Sequence, residues 1–136
     1  MTELVLDASV LVKWFKTAGE SHAEAALDLY HQFSRGELLV LVPPLLFLEL
    51  LNVAARRWGW EAERLERFAA DLELLGLEVQ QPSLARVAAW CSRGLTAYDA
   101  CYVALAEARR TLVVSDDERL VAAAGALARP LASLSP

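Results

Sequence analysis

The sequence predicts an α/β fold, with a central parallel sheet of four or five strands and helices on both faces. Two observations predict it: short apolar runs alternate with longer stretches of helical periodicity, and the runs at residues 4–6, 39–42 and 112–114 are apolar at every position. Such strands are typical of a parallel sheet buried between layers of helices. The chain has 136 residues, the usual size of one domain, so we expect a single domain over residues 1–136.

The amino-terminal part of the chain predicts one strand and two helices. Residues 4–6 form a short buried-strand pattern, and the apolar positions after Asp7 fall at helical spacing. Ser21 is the expected N-cap of the second helix, and Gly36 ends it.

The middle of the chain predicts two more strands and two more helices. Residues 39–42 form a buried run that ends in two prolines, which suit the first turn of a helix over residues 45–59. Residues 61–75 alternate Glu and Arg on the polar side of another helix, and residues 77–79 predict a short strand after it.

The carboxyl-terminal part continues the alternation. Ser83 opens a helix that ends at Gly94, and the next helix extends to about residue 109. Residues 112–114 predict a strand, followed by a short helix over residues 117–124. Ligands of parallel sheets lie outside the carboxyl ends of the strands, so acids at those ends are candidates for function.

Composition excludes several classes of protein. Apolar residues make up 56 % of the chain, which excludes a disordered chain and leaves enough surplus for a partner to cover an apolar face. The longest apolar stretch is interrupted by prolines and a glutamate, whereas a membrane span needs about 20 nearly uninterrupted apolar residues. The N-terminus lacks the pattern of a secretory signal, so we expect a cytoplasmic protein.

The residue types also limit the metals and ligands. Cys91 and Cys101 match no CxxC pattern, and His22 and His31 are too far apart for a helical zinc pair. The net charge of −5 gives no support for passive binding to nucleic acid. A hard cation held by oxygen ligands would be compatible with these limits.

Asp7 and Glu49 are carboxylates in unusual positions. Asp7 directly follows the first strand, where it either belongs to a site or caps the next helix. Glu49 lies in a helix that is apolar nearly all round and is expected to be buried, where an ionised carboxylate is costly unless paired or metal-bound. Asn52 could hydrogen-bond to Glu49 or to its ligand, and Arg56 could instead form an ion pair with it.

Three aspartates in the second half of the chain are further candidates. Asp99 forms a capping-box pattern with Thr96, yet the helix around it is apolar enough to lie inside the protein. Asp116 and Asp117 follow the last predicted strand, and residues 115–118 also form a capping-box pattern.

Four of these acids would meet if the helices pack at the carboxyl end of the sheet: Asp7, Glu49, Asp99 and Asp117. At a separation of about 5 Å, each pair would repel by roughly 3 kcal/mol at an effective dielectric of 20. Either the acids take up protons, with raised pKa values, or they hold Mg²⁺ or Mn²⁺. A site of the second kind suits the hydrolysis of a phosphodiester.

The ordered set of motifs resembles the PIN-domain family and, within it, the VapC-type toxin ribonucleases of bacterial and archaeal toxin–antitoxin pairs. The matching segments are residues 5–14 (VLDASVLVKW), residues 42–43 (VP) with Glu49 downstream, residues 95–100 (LTAYDA) and residues 112–120 (LVVSDDERL). They occur in the family's order and cover essentially the whole chain.

The resemblance implies a three-layer, PIN-like α/β fold and an endoribonuclease that uses Mg²⁺ or Mn²⁺ to cleave single-stranded RNA. It assigns the catalytic and metal-binding roles to Asp7, Glu49, Asp99 and Asp117. The family commonly has a non-acidic residue at the position of Asp116. Either Asp116 or Asp117 could therefore face the metal, and the spacing from the strand favours Asp117.

The resemblance also implies supporting residues and partners. Ser9, Thr96 and Ser115 match the small hydroxyl residues that support the acids. Asn52 is expected to assist Glu49 because of its spacing on the helix and not because of the resemblance. Family members commonly form homodimers and are inhibited by a small antitoxin. The expected partners are therefore RNA, a VapB-like antitoxin and a second copy of the chain, without a membrane.

Other functions stay open at this point. The chain could be a PIN-fold nuclease that processes RNA outside a toxin pair, or a non-catalytic PIN-fold interaction module. A receiver-type signalling domain or a DxD phosphatase fits less well, because residues 7–9 contain a single acid and the only lysines are Lys13 and Lys16.

Overall fold

The computed structural model describes residues 1–134, which contain five strands and seven α-helices. The strands are β1 (Thr2–Leu6), β2 (Leu38–Val42), β3 (Glu78–Val79), β4 (Leu112–Ser115) and β5 (Ala128–Pro130). The helices are α1 (Ala8–Phe15), α2 (Ala23–Ser34), α3 (Leu45–Asn52), α4 (Ala62–Leu74), α5 (Leu84–Cys91), α6 (Ala97–Arg109) and α7 (Glu118–Ala124).

All five strands run parallel in one sheet, in the order β3-β2-β1-β4-β5. The predicted α/β fold with a central parallel sheet is confirmed. Strand β1 lies at the centre, and Leu6 is in register with Val114 on β4. The backbone N–H of Asp7 donates to the carbonyl of Val114 at 3.3 Å, so the carboxyl ends of β1 and β4 lie side by side. This register brings Asp7 beside the segment that follows β4.

Helices α1 and α6 place two of the candidate acids against the middle of this sheet. Val10 and Leu11 of α1 and residues 102–106 of α6 are buried, in the same core as the apolar side chains of β1, β2 and β4. Burial at about 25 cal/mol per Å² of apolar surface is the main favourable contribution to folding, so both helices are firmly seated. Their amino-terminal ends carry Asp7 and Asp99.

Two helix boundaries differ from the sequence-based expectation. Ser21 is not an N-cap: helix α2 begins after His22, which adopts a left-handed backbone (φ 56°) and makes no capping bond, because its imidazole contacts Asp116 instead. The predicted helix over residues 45–59 changes pitch, since α3 continues as a π-helical turn over Val53–Arg57.

The fifth strand had no sequence signal that predicted its position. It is three residues long and ends in a proline, which lacks an N–H and is confined to the edges of sheets. Within residues 1–134, no helix is long and apolar enough to cross a membrane.

Candidate metal centre

Asp7 is the most deeply buried acid of the chain, with 5 % of its surface exposed. It caps α1, as one interpretation of the sequence predicted, because Oδ1 accepts from the backbone N–H of Val10. Ser9 donates to Oδ1 at 2.6 Å and Ser115 to Oδ2 at 2.5 Å. Burial raises the pKa of Asp7 to about 6, although these hydrogen bonds oppose the rise.

The two serines also fix the segment after β4. Ser9 Oγ accepts from the backbone N–H of Asp116 at 2.8 Å, and Ser115 Oγ accepts from that of Asp117 at 3.0 Å. Each hydroxyl thus joins the Asp7 carboxylate to the backbone of one of the two aspartates. The serines therefore set the position of this segment relative to Asp7.

Glu49 lies half-buried on α3, and Tyr102 of α6 donates a hydrogen bond to its Oε1. Burial raises the pKa of Glu49, the Tyr102 hydroxyl lowers it and the charge of Asp99 raises it further. The expectation of a helix buried all round was wrong, since Leu48, next to Glu49, is 62 % exposed. In the described part of the chain Glu49 forms no ion pair with Arg56.

Asp99 lies in the first turn of α6, and Thr96 caps that helix by accepting from the backbone N–H of Asp99 at 3.1 Å. Burial raises the pKa of Asp99, and the charge of Asp117 raises it further. The charge of Asp99 in turn raises the pKa values of Asp7 and Glu49. Asp99 is therefore close enough to each of the other three acids for their charges to interact.

Asp117 is the N-cap of α7, and its Oδ1 accepts from the backbone N–H groups of Arg119 and Leu120. The expected capping box of Ser115 and Glu118 was wrong, because the helix begins two residues later than that pattern requires. Asp117 thus serves as a cap and also acts on Asp99 through its charge.

Asp116 is oriented toward a different set of partners. Its Oδ2 lies 3.2 Å from Nζ of Lys13, and its Oδ1 lies 3.1 Å from Nδ1 of His22. Both carboxylate oxygens are therefore occupied by nitrogen groups. The charge that raises the pKa of Asp99 comes from Asp117.

Three side chains near the acids had not been singled out from the sequence. Tyr102 and Lys13 are buried, and the charge of Arg119 lowers the pKa of Asp99. Tyr102 follows Asp99 by three residues, a spacing that places both on one side of a helix. Asn52 is exposed, and its predicted hydrogen bond to Glu49 is not among those of residues 1–134. Its contact with a ligand of Glu49 stays a prediction.

The donor set has the chemistry for a hard cation, although the acids are not drawn together into a ligand set. Within residues 1–134, no three His, Cys, Asp or Glu side chains are grouped closely enough to hold a metal ion. Burial nevertheless raises the pKa values of Asp7, Glu49 and Asp99, and each is raised further by the charge of a neighbouring aspartate. A divalent cation would relieve that repulsion, and carboxylate oxygens are the ligands that Mg²⁺ and Mn²⁺ prefer.

Solved structures share this fold over nearly the whole chain. PAE2754 from Pyrobaculum aerophilum is 24 % identical, with a TM-score of 0.68 over 98 % of this chain and 92 % of that one. VapC20 from Mycobacterium tuberculosis, described as a Sarcin-Ricin loop cleaving toxin, is 17 % identical, with a TM-score of 0.68 over 93 % of this chain and 99 % of that one. No curated protein matches the sequence.

The sequence itself matches the PIN domain over residues 4–126. This match includes all four acids of the candidate centre and the strands and helices that carry them. It also agrees with the parallel sheet that places Asp7 beside the segment after β4. The chain belongs to the PIN domain family.

Proposed function

We propose that this protein is a metal-dependent endoribonuclease that cleaves single-stranded RNA. The observation that carries the proposal is the position of Asp99, whose charge interacts with Asp7, Glu49 and Asp117. A PIN-domain chain in which one acid interacts with three others is suited to phosphodiester hydrolysis. The fold shared with VapC20 supports the same reading.

Asp7, Glu49, Asp99 and Asp117 would hold Mg²⁺ or Mn²⁺. A divalent cation held there would offset the negative charge of the phosphate and would make a water molecule more acidic. Ser9, Thr96 and Ser115 keep the acids oriented through the hydrogen bonds described above. We assign Asp117 rather than Asp116 as the fourth acid, because both oxygens of Asp116 already have nitrogen partners.

The chain's own groups have distinct tasks in hydrolysis. The reaction forms a bond from a water oxygen to phosphorus and breaks the bond from phosphorus to a ribose oxygen, which leaves with a proton. Asp117 Oδ1 is held by the amino end of α7, and Oδ2 is available to orient the water. The exposed guanidinium of Arg119 would contact the phosphate, for which arginine is well suited.

A cavity of about 410 Å³ beside Asp117 offers room for part of the substrate. Its lining includes the polar residues His22, Asp116 and Glu118 and the apolar residues Val121 and Pro130. A mixture of this kind fits a nucleobase, which has polar edges and an apolar face. We place the RNA across this side of the acids.

We further propose that the protein is the toxin of a pair with a VapB-like antitoxin, acting in the cytoplasm as a homodimer. Leu48 and Tyr98, the neighbours of Glu49 and Asp99 in the chain, are each more than 60 % exposed. Exposed apolar side chains at a charged site suit contact with a protein partner. A nuclease outside a toxin pair would use the same acids without this partner.

Cleavage of a fluorescent single-stranded RNA tests the enzymatic part of the proposal. We expect cleavage with Mg²⁺ or Mn²⁺, none with EDTA, and loss of cleavage in Asp7→Asn while the fold is retained. Full activity in Asp7→Asn would contradict the proposal, and a wild-type chain that binds Mn²⁺ without cleaving RNA would favour an interaction module. Growth arrest on expression, reversed by the product of a short neighbouring reading frame, would distinguish a toxin from an RNA-processing nuclease.

A further inference from the structure

Lys13 is a buried cation outside the acid cluster, with 3 % of its surface exposed. Its ammonium lies 3.1 Å from Glu20 Oε1 and 3.2 Å from Asp116 Oδ2. Glu20 is in turn bound by Arg57, at 2.9 Å from the guanidinium. The two cations and two carboxylates form a chain of ion pairs that we call the Lys13 network.

The Lys13 network joins the segments that carry three of the four acids. Lys13 is on α1, which begins at Asp7, and Asp116 precedes Asp117. Arg57 ends the π-helical turn that continues from α3, the helix of Glu49. The ammonium of Lys13 is the central member of this connection.

Stability alone does not explain a buried ammonium at this position. Desolvation of a buried ion pair offsets most of its attraction, and well-packed apolar residues of similar volume are often as stabilising or more so. The Lys13 network instead fixes the orientation of the Asp116 side chain. Lys13 and His22 take its two oxygens, while Ser9 accepts from its backbone N–H.

We propose that Lys13 is a positioning residue: it holds Asp116 away from the acid cluster and thereby fixes Asp117 as the fourth acid. This inference rests on the proposed metal centre. Without Lys13, Asp116 loses its buried cation and the segment after β4 loses its attachment to α1. Asp117 then shifts relative to Asp7, and the free Asp116 competes with it.

The test measures Mn²⁺ affinity by titration calorimetry without RNA, and stability by urea unfolding, for Lys13→Met, Asp116→Asn and the double variant. Loss of a group that orients metal ligands typically weakens metal binding by about 10- to 100-fold. We expect a loss in this range for Lys13→Met, and a smaller one for Asp116→Asn. The double variant should bind no more weakly than Lys13→Met, because Lys13 acts through Asp116.

Arg109→Met is the matched control, because Arg109 forms an ion pair with Glu3 at 2.7 Å, near the opposite end of β1. It should lower stability without changing Mn²⁺ affinity. Wild-type Mn²⁺ affinity in folded Lys13→Met and Asp116→Asn would overturn the inference. A loss of Mn²⁺ affinity in Asp116→Asn as complete as in Asp7→Asn would also overturn it, because Asp116 would then be a ligand. If Lys13→Met does not fold, the inference is decided by comparing the Mn²⁺ affinity of Asp116→Asn with that of Arg109→Met. The RNA cleavage assay tests the proposed function separately, because cleavage that survives in Asp7→Asn would contradict that function whatever the Mn²⁺ affinities of the Lys13 and Asp116 variants.

Discussion

The phenolic hydroxyl of Tyr102 donates a hydrogen bond to Oε1 of Glu49 and joins helix α6 to helix α3 at the candidate metal centre. Tyr102 is 1 % exposed, so Glu49 is held from the inside of the protein. Burial raises the pKa of Tyr102 and the charge of Glu49 raises it further, which keeps the phenol protonated as a donor. Within residues 1–134 the hydrogen bond to Glu49 uses Oε1 alone, so Oε2 could bind a cation.

Replacing Tyr102 with Phe removes this donor and little volume. We expect Mn²⁺ binding to weaken by about 10-fold, because an unheld carboxylate must be ordered when the ion binds. The free energy of unfolding should fall by about 1 kcal/mol for the lost hydrogen bond. Calorimetry and urea unfolding measure the two effects. Tyr98→Phe, at an exposed tyrosine, is the control, and equal affinities in the two variants would exclude a role for Tyr102.

The raised pKa of Asp7 predicts how stability depends on pH in the absence of metal. The folded chain favours the protonated carboxyl, with a pKa of about 6 compared with 3.8 for an unperturbed Asp. The resulting stabilisation is fully present below about pH 4 and is lost as the pH rises through about 6. A shift of this size corresponds to roughly 3 kcal/mol.

Asp7→Asn isolates this contribution from those of the other acids. Its amide carries no charge, so the variant should be more stable than the wild type at pH 7.5, and the difference should shrink toward pH 4. Saturating Mn²⁺ should stabilise the wild type at pH 7.5 and leave Asp7→Asn nearly unchanged. A constant difference in unfolding free energy from pH 4 to pH 7.5 would refute the assigned pKa shift.

Arg119 provides a prediction about the substrate. Its charge acts on Asp99, and its side chain is exposed. We expect Arg119→Gln to raise the KM for single-stranded RNA by about 10-fold, as for the loss of one charge-assisted hydrogen bond. Mn²⁺ affinity should not fall. Arg35→Gln, at an exposed arginine just before the amino end of β2, serves as control, and an unchanged KM in Arg119→Gln would remove Arg119 from the substrate site.

Much of the fold follows from local patterns in the sequence. The apolar runs predicted β1, β2 and β4 to within about two residues, because the part of a strand that is buried on both faces needs apolar side chains. The short strand β3 was also predicted, although both of its residues are exposed. Asp7 and Thr96 were recognised as potential caps because a cap bonds to backbone groups nearby in the sequence. Such local patterns did not suffice for Ser21 or for the pair Ser115 and Glu118.

Features that depend on distant contacts were not accessible in this way. Tyr102 meets Glu49 from a different helix, and Lys13 meets Asp116 across more than 100 residues of chain. Such pairs depend on how the helices pack on the sheet, which residue spacing does not encode. Likewise, which of Asp116 and Asp117 is assigned as the fourth acid depends on the ion-pair and hydrogen-bond partners of each carboxylate, and the sequence does not give these.

Mn²⁺ binding to the wild type and to Asp99→Asn, measured by calorimetry at pH 7.5 without RNA, tests most directly whether the four acids form one metal centre. Asp99 interacts with each of the other three, so its neutralisation should weaken binding by at least about 100-fold, with the fold intact. Asp71→Asn, at an exposed acid of α4, should bind like the wild type. Equal Mn²⁺ affinity in the wild type and Asp99→Asn would contradict the account.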